Sequence, residues 1–236
     1  MQLEHDAGEK LKDRLGTLRK EIYLQLYSDI SALQGHLGAL SAKDPTSPEF
    51  AAPVQVVNAQ LAKVQLVGGT EVMEHAGELM ALFTESLFNL MVAAKPLHEL
   101  RSDISIADRL YNQYFQEAQR VNSEMTALNE SGHPDPMRMA ALQRSFEGFR
   151  EQYTKFSNER DEAWDKHNTS QGDFVSAVKK QIEYVGPTQA KLMAAIKNEI
   201  GVPTDVAKLL DRLEANQQRM ENAVKAVLAE FTADKA

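Results

Sequence analysis

The chain has 236 residues, a formal net charge of −8 and no cysteine. A nucleic-acid-binding surface needs clustered lysine and arginine, which this acidic sequence lacks, so we expect no nucleic-acid partner. The absence of cysteine excludes disulfides, thiolate metal sites and a cysteine nucleophile.

The distribution of glycine and proline favours an all-α protein. Only 12 Gly and 8 Pro are present, and they cluster at a few points between long periodic segments. The first ten residues have no apolar stretch typical of a signal peptide, and no run of about 18 apolar residues predicts a membrane-spanning helix. We therefore expect a soluble chain, either cytoplasmic or, if a signal or anchor was removed, periplasmic or extracellular.

The first helix is predicted over residues 9–42, because apolar residues recur there at spacings of three and four. A loop with Pro45 and Pro48 follows, and the next helix is predicted to begin between residues 47 and 53. This helix is predicted to be interrupted at Gly68-Gly69, and Thr70 is a suitable N-cap residue for a new helix after the interruption.

The most apolar segment of the chain lies between residues 76 and 100. Its stripe is wide, which is typical of a helix with more than one neighbour in a four-helix bundle. Pro96 predicts a bend or an end nearby. The stripe consists of Ala76, Leu79 or Met80, Phe83, Leu87, Leu90, Ala94 and Leu97.

A two-helix, coiled-coil-like hairpin is predicted over residues 104–167, with its tip at 130–136. Both arms carry apolar residues at alternating spacings of three and four, the pattern of two helices in contact. Asp135 is predicted to cap the second arm and Pro136 to open it. The facing positions are Ala107, Tyr111, Tyr114, Ala118, Val121, Met125 and Leu128 in one arm, and Met139, Leu142, Phe146, Phe149, Tyr153 and Phe156 in the other.

Two capping-box sequences predict a joint across both arms. Ser105 begins one and Ser170 the other, each followed three residues later by aspartate. The joint divides the hairpin, 104–167, from a four-helix body formed by residues 9–103 and 168–233. Within that body, breaks are predicted at Gly186-Pro187 and at 201–205, and the last helix from Thr204 to about residue 232. The predicted fold is an elongated antiparallel helical bundle with a long hairpin.

One acidic group has the residue types of a metal site. Helical bundles bind iron or manganese through carboxylates and Glu-x-x-His pairs. The group points away from the apolar stripe, and the only Glu-x-x-His pair in the sequence is Glu130–His133 at the tip, so a solvated acidic face is the favoured interpretation. Its members are Glu71, Glu74, His75 and Glu78.

The region around the joint and the tip is the candidate partner or ligand region. Trp164, the only tryptophan, is predicted to lie near Tyr111, Tyr114, Phe115 and Phe156, where core filling is favoured over a pocket. The arginines are interpreted mainly as members of surface ion pairs. The candidate residues are Arg101, Arg109, Trp164 and His167 at the joint, and His133 at the tip.

No nucleophile elbow, phosphate-binding loop or HExxH motif occurs. We therefore expect a non-enzymatic protein without a cofactor, acting through another protein or through self-association as a scaffold, adaptor or assembly factor. The segment Asp135–Phe156 resembles, in its helical pattern alone, the helical periplasmic modules of bacterial chemoreceptors and sensor kinases. That resemblance implies the alternative function, an extracytoplasmic sensor domain that binds a small ligand between helices.

Overall fold

A computed structural model describes residues 2–132 and 135–233 of the chain. The structure is 92% helical, and the described residues contain no strand. The two longest helices, α3 and α4, pack closely against each other, which confirms the predicted all-α class and helical-hairpin bundle. The elements are α1 (Gln2–Leu37), a 3-10 helix (Gly38–Ala42), α2 (Pro48–Val67), α3 (Thr70–Glu130), α4 (Pro136–Glu199) and α5 (Val206–Ala233).

The predicted helix ends at the start of α2 and at the hairpin tip are confirmed. Helix α2 begins at Pro48, whose missing N–H costs nothing in a first turn. At the tip, α3 ends at Glu130 and α4 begins at Pro136. The Asp135 carboxylate accepts hydrogen bonds from the backbone N–H groups of Met137 at 2.9 Å and Arg138 at 3.2 Å. Helix α5 starts at Val206, two residues later than predicted, because Asp205 takes the capping position.

The break between α2 and α3 lies at Gly68-Gly69, as predicted, but Thr70 is the first helical residue rather than the cap. The Gly69 carbonyl accepts the N–H of Met73 at 2.9 Å. A Cβ atom at Gly68 would lie 2.7 Å from Val72 Cγ1 and 3.0 Å from the Val64 carbonyl oxygen. A side chain at Gly68 therefore requires the neighbouring atoms to shift.

The predicted helix starts at Ser105 and Ser170 are wrong, since α3 and α4 continue through both residues. Pro96 and Gly186-Pro187 also lie inside these helices rather than at their ends. A capping box is a local preference of about 1 kcal/mol. Burial of the apolar residues on both sides of each serine favours a continuous helix by more than that.

The chain divides into two compact units, which we call unit 1 and unit 2. Unit 1 contains Met1–Leu40, Thr46–Met91 and Ser176–Ala236, and unit 2 contains Ser41–Pro45 and Val92–Val175. The boundaries predicted from sequence, 104 and 167, stay a prediction.

The core of unit 1 is formed by apolar side chains from one face of each of the helices α1 to α4. The predicted α3 stripe is buried at every position from Ala76 to Leu97, although its last two members belong to unit 2. Within this core the Gln60 amide donates to the Ile22 carbonyl at 2.9 Å and joins α2 to α1. The largest fully buried side chains of unit 1 are Leu26, Leu40, Phe50, Val57, Leu61, Val64, Val72, Leu79 and Leu192.

Helix α3 also contains an 18-residue stretch that is long and apolar enough to cross a membrane by length and composition alone. From the sequence we expected that the chain has no such segment. A core helix passes the same test, and Leu79, Phe83 and Leu90 are buried inside unit 1. Only 33% of the stretch is buried, however, so packing in the core accounts for part of this apolar character, and Phe88 and Val92 remain exposed.

Unit 2 is built mainly from α3 and α4, and the burial of their side chains decreases toward the hairpin tip. Small buried residues such as Ala107, Ala118 and Ala163 allow close packing of α3 against α4. Between Val121 and Ala163, no described residue is fully buried. A seam between two helices with no third neighbour leaves its large side chains half-buried, and this is the state of Phe149 and Phe156.

The aromatic–arginine strip of unit 2

Three aromatic rings form one end of a row of contacts along unit 2. Tyr111 and Phe115, one turn apart on α3, stack with ring centroids 5.7 Å apart. Tyr153 of α4 meets both rings edge-on, at 6.1 Å from Tyr111 and 5.6 Å from Phe115. Edge-to-face and offset contacts of this kind stabilise aromatic pairs beyond the area that they bury. The three rings therefore hold one another in fixed orientations.

Arg160 continues the row on α4. Its guanidinium lies 5.1 Å from the centroid of the Tyr111 ring, within the range of a cation–π interaction. It also donates to Asp108 at 3.2 Å and to Asp161 at 3.4 Å. The hydrogen bond to Asp108 raises the pKa of Arg160, so the group stays charged. Two carboxylates and a ring thus fix the position of a side chain that otherwise samples many rotamers.

Trp164 and His167 form the next contact, one turn further along α4. Their rings meet edge-on with centroids 5.4 Å apart. Trp164 is 44% exposed, whereas His167 is buried. Core filling, the interpretation that the sequence favoured for Trp164, is therefore wrong. A two-helix layer cannot enclose so large a ring on this side.

His167 is a buried histidine whose two ring nitrogens have no hydrogen-bond partner among the described residues. Burial lowers its pKa below the ordinary value of 6.5, and the positive charge of Arg101 lowers it further. The imidazole is therefore neutral at pH 7. Arg101 is itself positioned by its Nη1 atom, which donates to the Ser41 carbonyl at 2.5 Å.

These residues define what we call the aromatic–arginine strip. Ring contacts, ion pairs and one-turn spacings connect its members from Asp108 to His167 within unit 2, and Arg101 belongs to it through the charge that lowers the pKa of His167. Its exposed surface combines tryptophan, tyrosine, phenylalanine and arginine, the residue types enriched in protein interfaces. The strip consists of Arg101, Asp108, Tyr111, Phe115, Tyr153, Arg160, Trp164 and His167.

The structure brings together three of the five residues predicted for the partner or ligand region. Arg101, Trp164 and His167 share the strip, whereas Arg109 is exposed and is not part of it. His133 lies outside the described residues. Arg160 was not among the predicted site residues, although its pairs with Asp108 and Asp161 agree with the prediction that the arginines form surface ion pairs. Two features of the sequence could have indicated its role: it lies one turn before Trp164, and its helix faces the helix that carries Asp108. The contact with Asp108 depends, however, on the exact register of the two helices, which the sequence defines only approximately.

The acidic group of α3 does not form a site with its neighbours. Glu71, Glu74 and Glu78 are exposed, and the half-buried His75 lies 3.6 Å from Glu78 through its Nδ1 atom. In the part of the chain that the structure describes, no group of three or more such side chains is placed to hold a metal ion. The favoured interpretation of a solvated face agrees with this exposure.

Comparison with protein-family models, with curated proteins and with solved structures finds no match to this chain.

Proposed function

We propose that this protein acts by binding another protein, or a second copy of itself, through the aromatic–arginine strip, and that it catalyses no reaction. The observation that carries the proposal is the exposure of Trp164 beside side chains that are already fixed. Tryptophan, tyrosine and arginine dominate the binding energy of protein interfaces. This function corresponds to a scaffold, adaptor or assembly role.

The strip is preorganised, and this lowers the cost of binding. An interface loses free energy for each flexible side chain that it must immobilise. Here the contacts of Arg160 with Asp108 and Tyr111 already hold the arginine, and the Phe115 ring is held between Tyr111 and Tyr153. A partner would therefore meet a surface whose largest side chains need little further ordering.

The magnitude expected from Trp164 is that of an interface hot spot. At 44% exposure, roughly 100 Å² of its surface remains to be buried. At about 25 cal/mol per Å² this burial is worth about 2.5 kcal/mol. The Trp164→Ala variant should therefore weaken the complex on the order of 50-fold.

Site-specific photo-crosslinking tests the proposal and captures the partner in the same step. A benzophenone amino acid is placed at position 164 or at position 88, where Phe88 of unit 1 is 61% exposed. In the cells that produce the protein, we expect a discrete crosslinked species from position 164 and none from position 88. Mass spectrometry of that species separates a second copy from a different protein.

The proposal also predicts how variants change the yield of the crosslinked complex when the benzophenone is placed at position 115. Trp164→Ala should lower the yield, and Phe88→Ala should leave it unchanged, with equal helicity by circular dichroism. Absence of a crosslinked species from both strip positions, or equal yields from positions 164 and 88, would show that the strip is not an interface.

A further inference from the structure

Unit 1 contains an apolar cavity of about 80 Å³ that the strip does not involve. Its walls come from all five helices, and all of its lining residues belong to unit 1. The apolar lining consists of Leu33, Leu37 and Leu40 of the N-terminal segment, Val54 of α2, Phe83, Leu87 and Leu90 of α3, Ile182 and Val185 of α4, and Leu213 of α5.

Two polar atoms in this apolar lining have no partner. Ser86 lines the cavity and is only 6% exposed, and its Oγ atom makes no hydrogen bond with any described residue. Gln181 of α4 also lines the cavity, and its Oε1 atom is buried and equally unpartnered within the described chain. Buried polar groups in folded proteins are nearly always hydrogen-bonded, because leaving them unpaired costs stability. Two such atoms in one cavity indicate that a bound molecule supplies their partners.

The two atoms also specify the chemistry of that molecule. The Ser86 hydroxyl can donate a hydrogen bond, and the Gln181 carbonyl oxygen can accept one. A hydroxyl group can both accept and donate a hydrogen bond, so it has the chemistry that these two atoms require. The remaining lining is aliphatic and aromatic, so the rest of the ligand must be apolar.

Size limits the part of the ligand that is enclosed. A buried water needs roughly 10–15 Å³ on the same measure of volume, so the cavity holds about five to eight water-sized groups. At its solvent side, the side-chain Nε2 atom of Gln34 in α1 donates to the side-chain Oε1 atom of Gln189 in α4 at 3.4 Å. Both glutamines line the cavity, and Gln34 is exposed. A longer ligand would pass between these two side chains.

We propose that unit 1 binds a small, mainly apolar molecule with one hydroxyl group, the hydroxyl between Ser86 and Gln181 and the apolar part among the leucine and valine side chains. This binding is independent of the strip in unit 2, and neither proposal requires the other. It corresponds to the alternative function considered from the sequence, the recognition of a small ligand between helices.

Two probes of equal heavy-atom number test the chemistry, 1-butanol and 1-chlorobutane. Methyl-labelled protein is titrated with each, and the shifts of the leucine, valine and isoleucine methyl signals are followed by NMR. We expect 1-butanol to shift the signals of the lining residues with a saturable dissociation constant, while distant methyl groups stay unchanged. Non-saturable shifts spread over the whole protein would show solvent effects only and would overturn the proposal.

Ser86→Ala separates the role of the hydroxyl from general apolar binding. The affinity ratio of 1-butanol to 1-chlorobutane should fall about 5-fold, the worth of one net hydrogen bond. The ligand-free variant should melt at a higher temperature, since it no longer buries an unpaired hydroxyl. Ser31→Ala is the matched control, because Ser31 is an exposed serine of α1 whose hydroxyl donates to the Tyr27 carbonyl. An unchanged affinity ratio in Ser86→Ala would contradict the assignment.

Val54→Ile tests the cavity itself. Val54 is a buried, apolar member of the lining, so the added methylene group takes up cavity volume and keeps the branched side chain. Binding of both probes should weaken together, with unchanged helicity by circular dichroism. A crystal structure in which ordered waters satisfy Ser86 and Gln181, and which 1-butanol does not alter, would identify the cavity as a structural water site and overturn the proposal.

Discussion

Glu199, at the end of α4, is the residue whose replacement should most clearly test the polar packing of unit 1. Its Oε2 atom accepts hydrogen bonds from the Tyr23 hydroxyl at 3.0 Å and from the Gly69 N–H at 3.1 Å. Its Oε1 atom lies 2.8 Å from Arg19 Nη1. One carboxylate thus joins α1 and the start of α3 to the end of α4. Burial, followed by the contact with Glu199, raises the pKa of Tyr23.

The Glu199→Ala variant removes two hydrogen bonds to a charged acceptor, each worth about 1.5–3 kcal/mol. The ion pair adds little, because the Arg19 side chain is 33% exposed and water screens the interaction. Water can also reach part of the site, since the Glu199 side chain is 18% exposed. We therefore expect a loss of about 2–3 kcal/mol in the free energy of unfolding. For a chain of this length, the melting temperature should fall by roughly 4–12 °C.

Glu183→Ala is the matched control, because it removes a glutamate from the same helix. Glu183 lies 3.5 Å from Lys179, and the two side chains are 41% and 44% exposed. Such a pair contributes less than about 0.5 kcal/mol. Thermal and urea unfolding, followed by far-ultraviolet circular dichroism, compares the two variants. If they lose the same stability, the carboxylate of Glu199 does not hold the three helices together and the reasoning fails.

Three further predictions concern a turn, a buried histidine and the hairpin seam. Gly68→Ala should cost about 1–2 kcal/mol, because its Cβ would overlap neighbouring atoms; Gly148→Ala, where no atom lies within 4 Å, should stabilise by up to about 1 kcal/mol in the same urea assay. Because the pKa of His167 is lowered in the folded state, the unfolded chain binds more protons, so stability should be constant above about pH 6.5 and fall with acidification below it. His167→Gln should flatten that decline in urea unfolding measured from pH 5 to 8, and an unchanged slope would exclude His167 as its origin. Phe149→Ala should cost about 1–2 kcal/mol in urea unfolding, because the ring is half-buried, and a cost above 3 kcal/mol would show that the seam is enclosed.

The sequence predicted the parts of the fold that depend on periodicity and on strong helix breakers. The α3 stripe and the tip at 130–136 are confirmed, because spacing and proline act locally. The cap sequences at Ser105 and Ser170 gave wrong helix starts. A local cap is weak, and the burial of residues such as Ile104 and Phe174 on either side decides the outcome.

The site was predicted only in part. Arg101, Trp164 and His167 followed from their position in the chain, but the role of Arg160 depends on the exact register of α4 against α3. The cavity could not be predicted, because Ser86 and Gln181 are ordinary polar residues of two different helices. Their lack of hydrogen-bond partners results from the packing of the helices around them, and no pattern in the sequence near either residue indicates it.

The contact between Trp164 and His167 gives this protein an intrinsic optical reporter. The chain has one tryptophan, so indole fluorescence comes from a single place, 5.4 Å from a histidine ring that is neutral at pH 7. A change of charge on that imidazole alters the environment of the indole directly, and so does any molecule that covers the exposed part of the ring. Emission wavelength and quenching by iodide therefore report on both events, without labels or mutations.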